Sequence, residues 1–201
     1  MPKTADNHYP IHELIKRRWS PRSFADKPVS NDNLLSLFEA ARWAPSSRNE
    51  QPWVYIVATK DHPDEYQILL NLLFEGNRRW ASGAPVLILA VTQNRFTHKH
   101  LPNPHARHDL GMSIFSLLIQ AISLDLYAHP IGGFNRDMAR ENYSIPADYD
   151  PVTMLALGYL GAAVQLDSDL AERETAPRKR KPLGDFLYFG NWGTKHPWLE
   201  G

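Results

Sequence analysis

The sequence predicts an α+β fold, an α/β sandwich in which helices cover a central sheet. Three observations carry this. Runs 53–59, 85–91 and 152–159 are short and rich in branched or aromatic residues, as buried strands are. Segments with apolar residues at helical spacing alternate with them. One of these, 109–126, is apolar nearly all round and must be covered on most sides.

Each element follows from local signals. A short helix is expected over 9–18, where Ile11, Leu14 and Ile15 share a face. Pro21 stops it, since the ring and the missing N–H interrupt a helical ladder. Ser30 can cap a second helix reaching about Ala44, with Leu34, Leu37, Phe38 and Ala41 on its inner face. The strand 53–59 comes next. Residues 63–80 read as one helix with Leu69, Leu70, Leu72, Leu73 and Phe74 inside. After the strand 85–91, the polar, His- and Pro-rich stretch 94–107 reads as a loop. The helix 109–126 leads to a short strand ending near Ile131, a helix over 136–142, and the strand 152–159. Beyond Gly161 the chain turns polar to Lys181, and the tail carries Phe186, Tyr188, Phe189, Trp192 and Trp198. No repeat or low-complexity linker divides the chain, so 1–201 reads as a single domain.

Composition narrows the function. The 22 basic and 22 acidic residues cancel, which argues against a nucleic-acid partner, since that needs a basic footprint. There is no cysteine, so disulfides and thiolate chemistry are excluded. No apolar run reaches the roughly 20 residues that span a bilayer, and no signal pattern opens the chain. The expectation is a soluble cytoplasmic protein without a membrane partner. Asn142-Tyr-Ser144 matches a glycosylation sequon, without meaning in a protein that is not exported. His98, His100, His105 and His108 fall close together, but their spacing fits no metal motif, and no metal is expected. Phosphate-loop, nucleophile-elbow and Gly-x-Gly-x-x-Gly fingerprints are absent.

Two segments carry chemistry. Arg17-Arg-Trp-Ser-Pro-Arg-Ser-Phe24 holds three arginines and two serines in eight positions, a composition suited to a phosphate. Its plainer reading is a solvated basic helix end. Pro45-Ser-Ser-Arg-Asn-Glu-Gln-Pro-Trp53 joins a helix to a strand with small uncharged donors and acceptors between stiff prolines. Its plainer reading is a turn held by local Ser and Asn hydrogen bonds. Pro130-Ile-Gly-Gly-Phe134 offers bare backbone to a close neighbour, or is simply a turn. Arg178-Lys-Arg-Lys-Pro-Leu183 is a second basic group, or a solvated charge run.

Together these segments resemble the nitroreductase family of FMN-dependent oxidoreductases. The Arg-x-Ser-x-Arg-x-Phe motif stands at Arg18 to Phe24, and Pro-Ser-Ser-x-Asn-x-Gln-Pro-Trp runs from Pro45 to Trp53 without a gap. The resemblance implies a mixed, mainly antiparallel sheet flanked by helices, in an intertwined homodimer whose tail, 185–201, packs on the partner subunit. It implies FMN, with NADH or NADPH as electron donor and a small-molecule acceptor. Arg18 and Ser20, with Trp19 between them, would meet the phosphate and ribityl chain, joined by Arg178 and Arg180. Arg22 would brace the loop through a carboxylate. Pro45, Ser46, Ser47, Asn49 and Gln51 would reach the flavin of the opposite subunit. Asn77, with Arg78 and Arg79 beside it, would approach the pyrimidine ring. Ile131, Gly132 and Gly133 would lie beside N5, where many members carry an acidic residue at the place of Gly132. Trp43, Phe134 and the tail aromatics are candidates to line the mouth. No catalytic side chain is required, because the flavin carries the chemistry. A ping-pong reduction of a nitroaromatic or quinone is the implied activity. The alternatives are a related dehalogenating or flavin-fragmenting enzyme, or a flavin-binding dimer without turnover.

Overall fold

The computed structural model describes residues 3–199. Four strands, β1 (Trp53–Thr59), β2 (Val86–Gln93), β3 (Leu126–Ile131) and β4 (Tyr149–Tyr159), form a sheet in the order β1-β2-β4-β3. Each of its three ladders is antiparallel, and β2 and β4 lie in the middle. β2 is buried on both faces because its residues alternate between two cores. Leu87, Leu89 and Val91 face one layer; Val86, Ile88 and Ala90 face the other.

Seven α-helices supply the layers. α1 (Glu13–Arg17) is shorter than the expected 9–18; the His12 side chain caps it by accepting from the Leu14 N–H. α2 (Asn31–Arg42) starts at the expected cap, Ser30, which accepts from the Asn33 N–H. Its Leu34, Leu37 and Ala41 pack with α5 (Ala106–Ser123) against one sheet face. α5 begins three residues before the expected start and leaves Phe115 exposed, so its apolar surface is not wholly covered within one chain.

The opposite face is covered by α3 (Pro63–Leu72), α4 (Glu75–Ala81), α6 (Arg136–Tyr143) and α7 (Ser168–Thr175). The single helix expected over 63–80 is broken at Leu73 and Phe74. The chain there bonds to the segment after β3 instead: the Phe74 N–H donates to the Gly133 carbonyl, and the Asn135 N–H to the Leu72 carbonyl. Phe74 is consequently 58% exposed rather than inside. α7 was not expected in the polar stretch after Gly161, because it buries little beyond Leu170 and Glu174. The tail aromatics Phe186, Phe189, Trp192 and Trp198 are exposed.

Candidate functional site

The arginines of the first motif and the late basic run, some 160 residues apart in sequence, meet in one cavity. Arg18, Trp19, Ser20 and Arg22 line about 240 Å³ together with Arg178, Arg180, Arg173 and Lys3. Arg18 lies just past α1, and Arg178 and Arg180 just past α7, so two helix ends bring the groups together. Among the described residues no carboxylate pairs with Arg18, Arg22, Arg178, Arg180 or Lys3. Burial, then Arg178 and Arg180, pushes the Arg18 guanidinium below its ordinary value. Burial and Arg180 do the same to Arg178. Burial lowers Lys3 too, with Arg22 and Arg178 adding to it against Glu174. Crowded, half-desolvated cations without counter-ions make a receptor for a compact anion.

The geometry around these cations is fixed by backbone contacts. Arg178 Nη1 donates to the Lys3 and Lys16 carbonyls at 2.9 and 3.0 Å. Lys3 Nζ donates to the Ala176 carbonyl at 2.7 Å, at the negative end of α7. The loop at Arg22 is tied to a carboxylate through its backbone, not through the Arg22 guanidinium. Buried Glu174 accepts from the backbone N–H groups of Arg22, at 3.0 and 3.1 Å, and of Ser23, at 3.2 Å. The Arg22 side chain instead lies over the Trp80 ring. Trp19 is 7% exposed and packs with Ile122 and Tyr127, its indole N–H without a partner among the described residues.

β3 leads from this cavity to the glycines. His129 Nδ1 lies 2.8 Å from the Pro21 carbonyl, and its ring stacks on Trp80 at 4.5 Å between centroids. Burial, with Arg22 and Arg18 adding to it, pushes this imidazole down to about 4. Two residues on, Ile131 is buried. At Gly132 a β-carbon would meet nothing, whereas at Gly133 it would lie 2.6 Å from Asn77 Nδ2. Asn77 Nδ2 donates to the Gly133 carbonyl at 3.0 Å, so Asn77 and Gly133 form one unit. Arg78 pairs with Glu75, and Arg79 with Asp167 and Asp169, so neither is free for a ligand. Phe134 is 1% exposed and belongs to the core, not to a mouth; Trp43 is exposed.

The loop 45–51 stands apart. No hydrogen bond or shared lining residue joins it to the cationic cavity among the described residues. Arg48, Asn49 and Gln51 have φ of 56°, 56° and 53°, the left-handed region that costs a side-chain-bearing residue about 1 kcal/mol or more. Local bonds hold this shape. Asp109, buried in α5, accepts from the Ser47 N–H at 2.9 Å, and Ser46 Oγ accepts from the Gln51 N–H at 3.0 Å. Pro45, Asn49 and Gln51 are exposed at the tip. Sequence reasoning did not find Lys3, His129, Glu174 or Asp109; each acts on a backbone group far away in sequence, which no motif records.

The histidines scatter. His108 Nδ1 lies 3.0 Å from Asp109, His105 precedes α5, and His98 and His100 sit on an exposed loop. Among the described residues no three His, Asp or Glu side chains converge on a metal position. Among the described residues no helix is long and apolar enough to cross a membrane.

The chain is similar to known proteins in sequence and fold. A Streptomyces coelicolor protein provisionally named NADH dehydrogenase/NAD(P)H nitroreductase is 31% identical over 160 residues, 68% of this chain and 76% of its own. A crystal structure described as an oxidoreductase containing FMN superposes with a TM-score of 0.89 at 37% identity, over 94% of this chain and 96% of that one. A Clostridium difficile nitroreductase family protein shares the fold, with a TM-score of 0.70 at 23% identity, over 89% and 97% of the two chains. The model of the nitroreductase family matches residues 15–159, spanning α1 to the end of β4, and the chain belongs to the nitroreductase family.

Proposed function

We propose that the protein is an FMN-dependent oxidoreductase that takes electrons from NADH or NADPH and delivers them to a small acceptor such as a nitroaromatic or quinone. One observation carries the reading: five arginines and Lys3 gather around one cavity, and among the described residues no carboxylate pairs with them. A phosphate monoester has the size and charge to satisfy such a set. The open space at Gly132 adds a second fit, since a flat ring can approach bare backbone there. The match to an FMN-containing structure at 37% identity supports the same cofactor.

In this reading Arg18, Ser20, Arg178 and Arg180 hold the phosphate, with Arg22 beside them. Trp19 walls the cavity. Ile131, Gly132 and Gly133 present backbone to the reactive edge of the ring, and Asn77 fixes the Gly133 peptide. When bound, FMN would supply the redox chemistry, accepting a hydride and passing the electrons on. The chain's own task is to hold the ring rigidly with one face open, so that donor and acceptor take turns at one position. No separate dinucleotide fingerprint exists to seat the donor elsewhere. Pro45, Ser46, Ser47, Asn49 and Gln51 neither line the cavity nor hydrogen-bond to its lining residues among the described residues; we assign them to the flavin of a second subunit in a homodimer. The single domain 1–201 then sends its tail, 185–201, over that partner. Its aromatic side chains are exposed in one chain and gain cover in two.

The test is an absorbance spectrum of the purified protein before and after anaerobic NADH, then NADPH. Flavin bands that bleach with either donor are the expected result. Bands that persist would turn the reading toward a flavin protein with other chemistry. Absence of bands, even after FMN is added, would overturn it.

A further inference from the structure

The peptide between Pro21 and Arg22 is held from both sides by residues outside either motif. Its carbonyl faces His129 Nδ1 at 2.8 Å, and its N–H is held by the buried carboxylate of Glu174. A carbonyl can only accept, so the proton sits on Nδ1 and the ring is the donor. Among the described residues no backbone hydrogen bond reaches the Pro21 carbonyl or leaves the Arg22 N–H, so no local turn bond replaces these contacts. His129 is itself rigid: it pairs with Ala156 in the ladder between β3 and β4 and stacks on Trp80.

We infer that His129 and Glu174 form a two-ended clamp on the Pro21–Arg22 peptide, and that His129 is a positioning residue for the phosphate-binding arginines. The inference rests on the FMN reading above. It adds that β3 is the common ruler of the site: one strand sets the phosphate loop through His129 and the ring-facing glycines through its C-terminal end. α7 closes the other side, since Glu174 lies four residues before Arg178. The distance between phosphate grip and ring platform is thereby fixed by two regular elements rather than by loops, the arrangement under which a bound group is held most accurately.

Two substitutions separate clamping from packing. His129→Asn keeps an N–H donor near the Nδ1 position but loses the ring stacked on Trp80. His129→Phe keeps the stacked ring but loses the donor. For a clamp, FMN dissociates from the full-length Asn variant within about twofold of the wild-type constant, and from the Phe variant roughly tenfold more readily. The reverse order, or equal binding by the Phe variant and the wild type, overturns the clamp. A wild-type protein that binds no FMN would instead sink the functional reading on which the clamp rests. Should the Phe variant not fold, nitrogen NMR of histidine-labelled wild-type protein decides without any variant. A proton on Nδ1 of His129 is expected; a proton on Nε2 alone would leave no donor toward Pro21 and would overturn the proposal.

Discussion

The cationic cavity and the 45–51 loop are both dense in polar groups, and they are built in opposite ways. In the cavity the cations have no carboxylate partner among the described residues, while the backbone around them is tied down: Arg178 donates to two carbonyls, and the 21–22 peptide is held at both ends. In the loop the backbone is itself strained, with three side-chain-bearing residues at positive φ, and its polar groups are partly spent on holding that strain. The first region is electrostatically incomplete within one chain, the second conformationally costly. Strain kept at an exposed tip is a pointer to use at that tip, whereas crowded cations without a counter-ion are a pointer to a ligand.

The largest effect should come from the cavity. Replacing both Arg18 and Arg180 by alanine removes two charge-assisted contacts, and FMN binding should weaken by about a hundredfold or more. Fluorescence titration measures this, and unchanged affinity would remove both residues from the site.

Acid probes the same region more gently. The imidazole of His129 is held near 4 in the folded protein against an ordinary 6.5, so between these values the unfolded chain binds the extra proton. Stability should therefore fall as pH drops from about 6.5 toward 4, with this group contributing on the order of 3 kcal/mol at the lower end. Arg18 and Arg22 face the same ring and reinforce the sign. In His129→Asn, urea unfolding across that range should lose this part of the slope; an identical slope would show that the imidazole is not the source.

The loop is tested through Asp109→Ala. The Ser47 N–H loses its acceptor and the strained turn its anchor, at a cost of about 2 kcal/mol by denaturant unfolding. If the loop serves a second subunit, this variant should also bind FMN less well although nothing in its cavity has changed. Normal FMN affinity in the destabilised variant would break that side of the comparison.

The smallest effect should appear between neighbouring glycines. Gly133→Ala drives a methyl group against Asn77 Nδ2 and should cost about 1 kcal/mol, while Gly132→Ala meets open space and should stay within about 0.5 kcal/mol. Equal costs would show that Asn77 yields freely and does not fix the Gly133 peptide.

Much of the fold was legible because β2 and α2 obey their local signals: continuous branched residues, and Ser30 before an apolar stripe. The break at Leu73 was not, since neither Leu73 nor Phe74 is a glycine or proline. It exists because the Gly133 carbonyl, far along the chain, takes the Phe74 N–H. α7 escaped notice because a helix that buries one leucine and one glutamate has almost no apolar period to read. The arginines of the site could be chosen by residue type, but their convergence depends on where α1 and α7 end. Arg22 shows the limit well: a carboxylate partner was foreseen, yet the bond runs to its main chain, which side-chain identity does not encode.

Pro130 has one more consequence. β3 and β1 are the two borders of the sheet, and proline is tolerated in a sheet where its missing donor faces outward from a border strand. β3 thus presents an interrupted row to any stray strand. β1 has no proline from Trp53 to Thr59 and exposes Val54 and Val57, so it offers an unbroken template. During synthesis at high concentration, the hazard of chain-to-chain clumping lies on one border of this molecule, and a charged residue introduced at Val54 or Val57 is where it would be reduced.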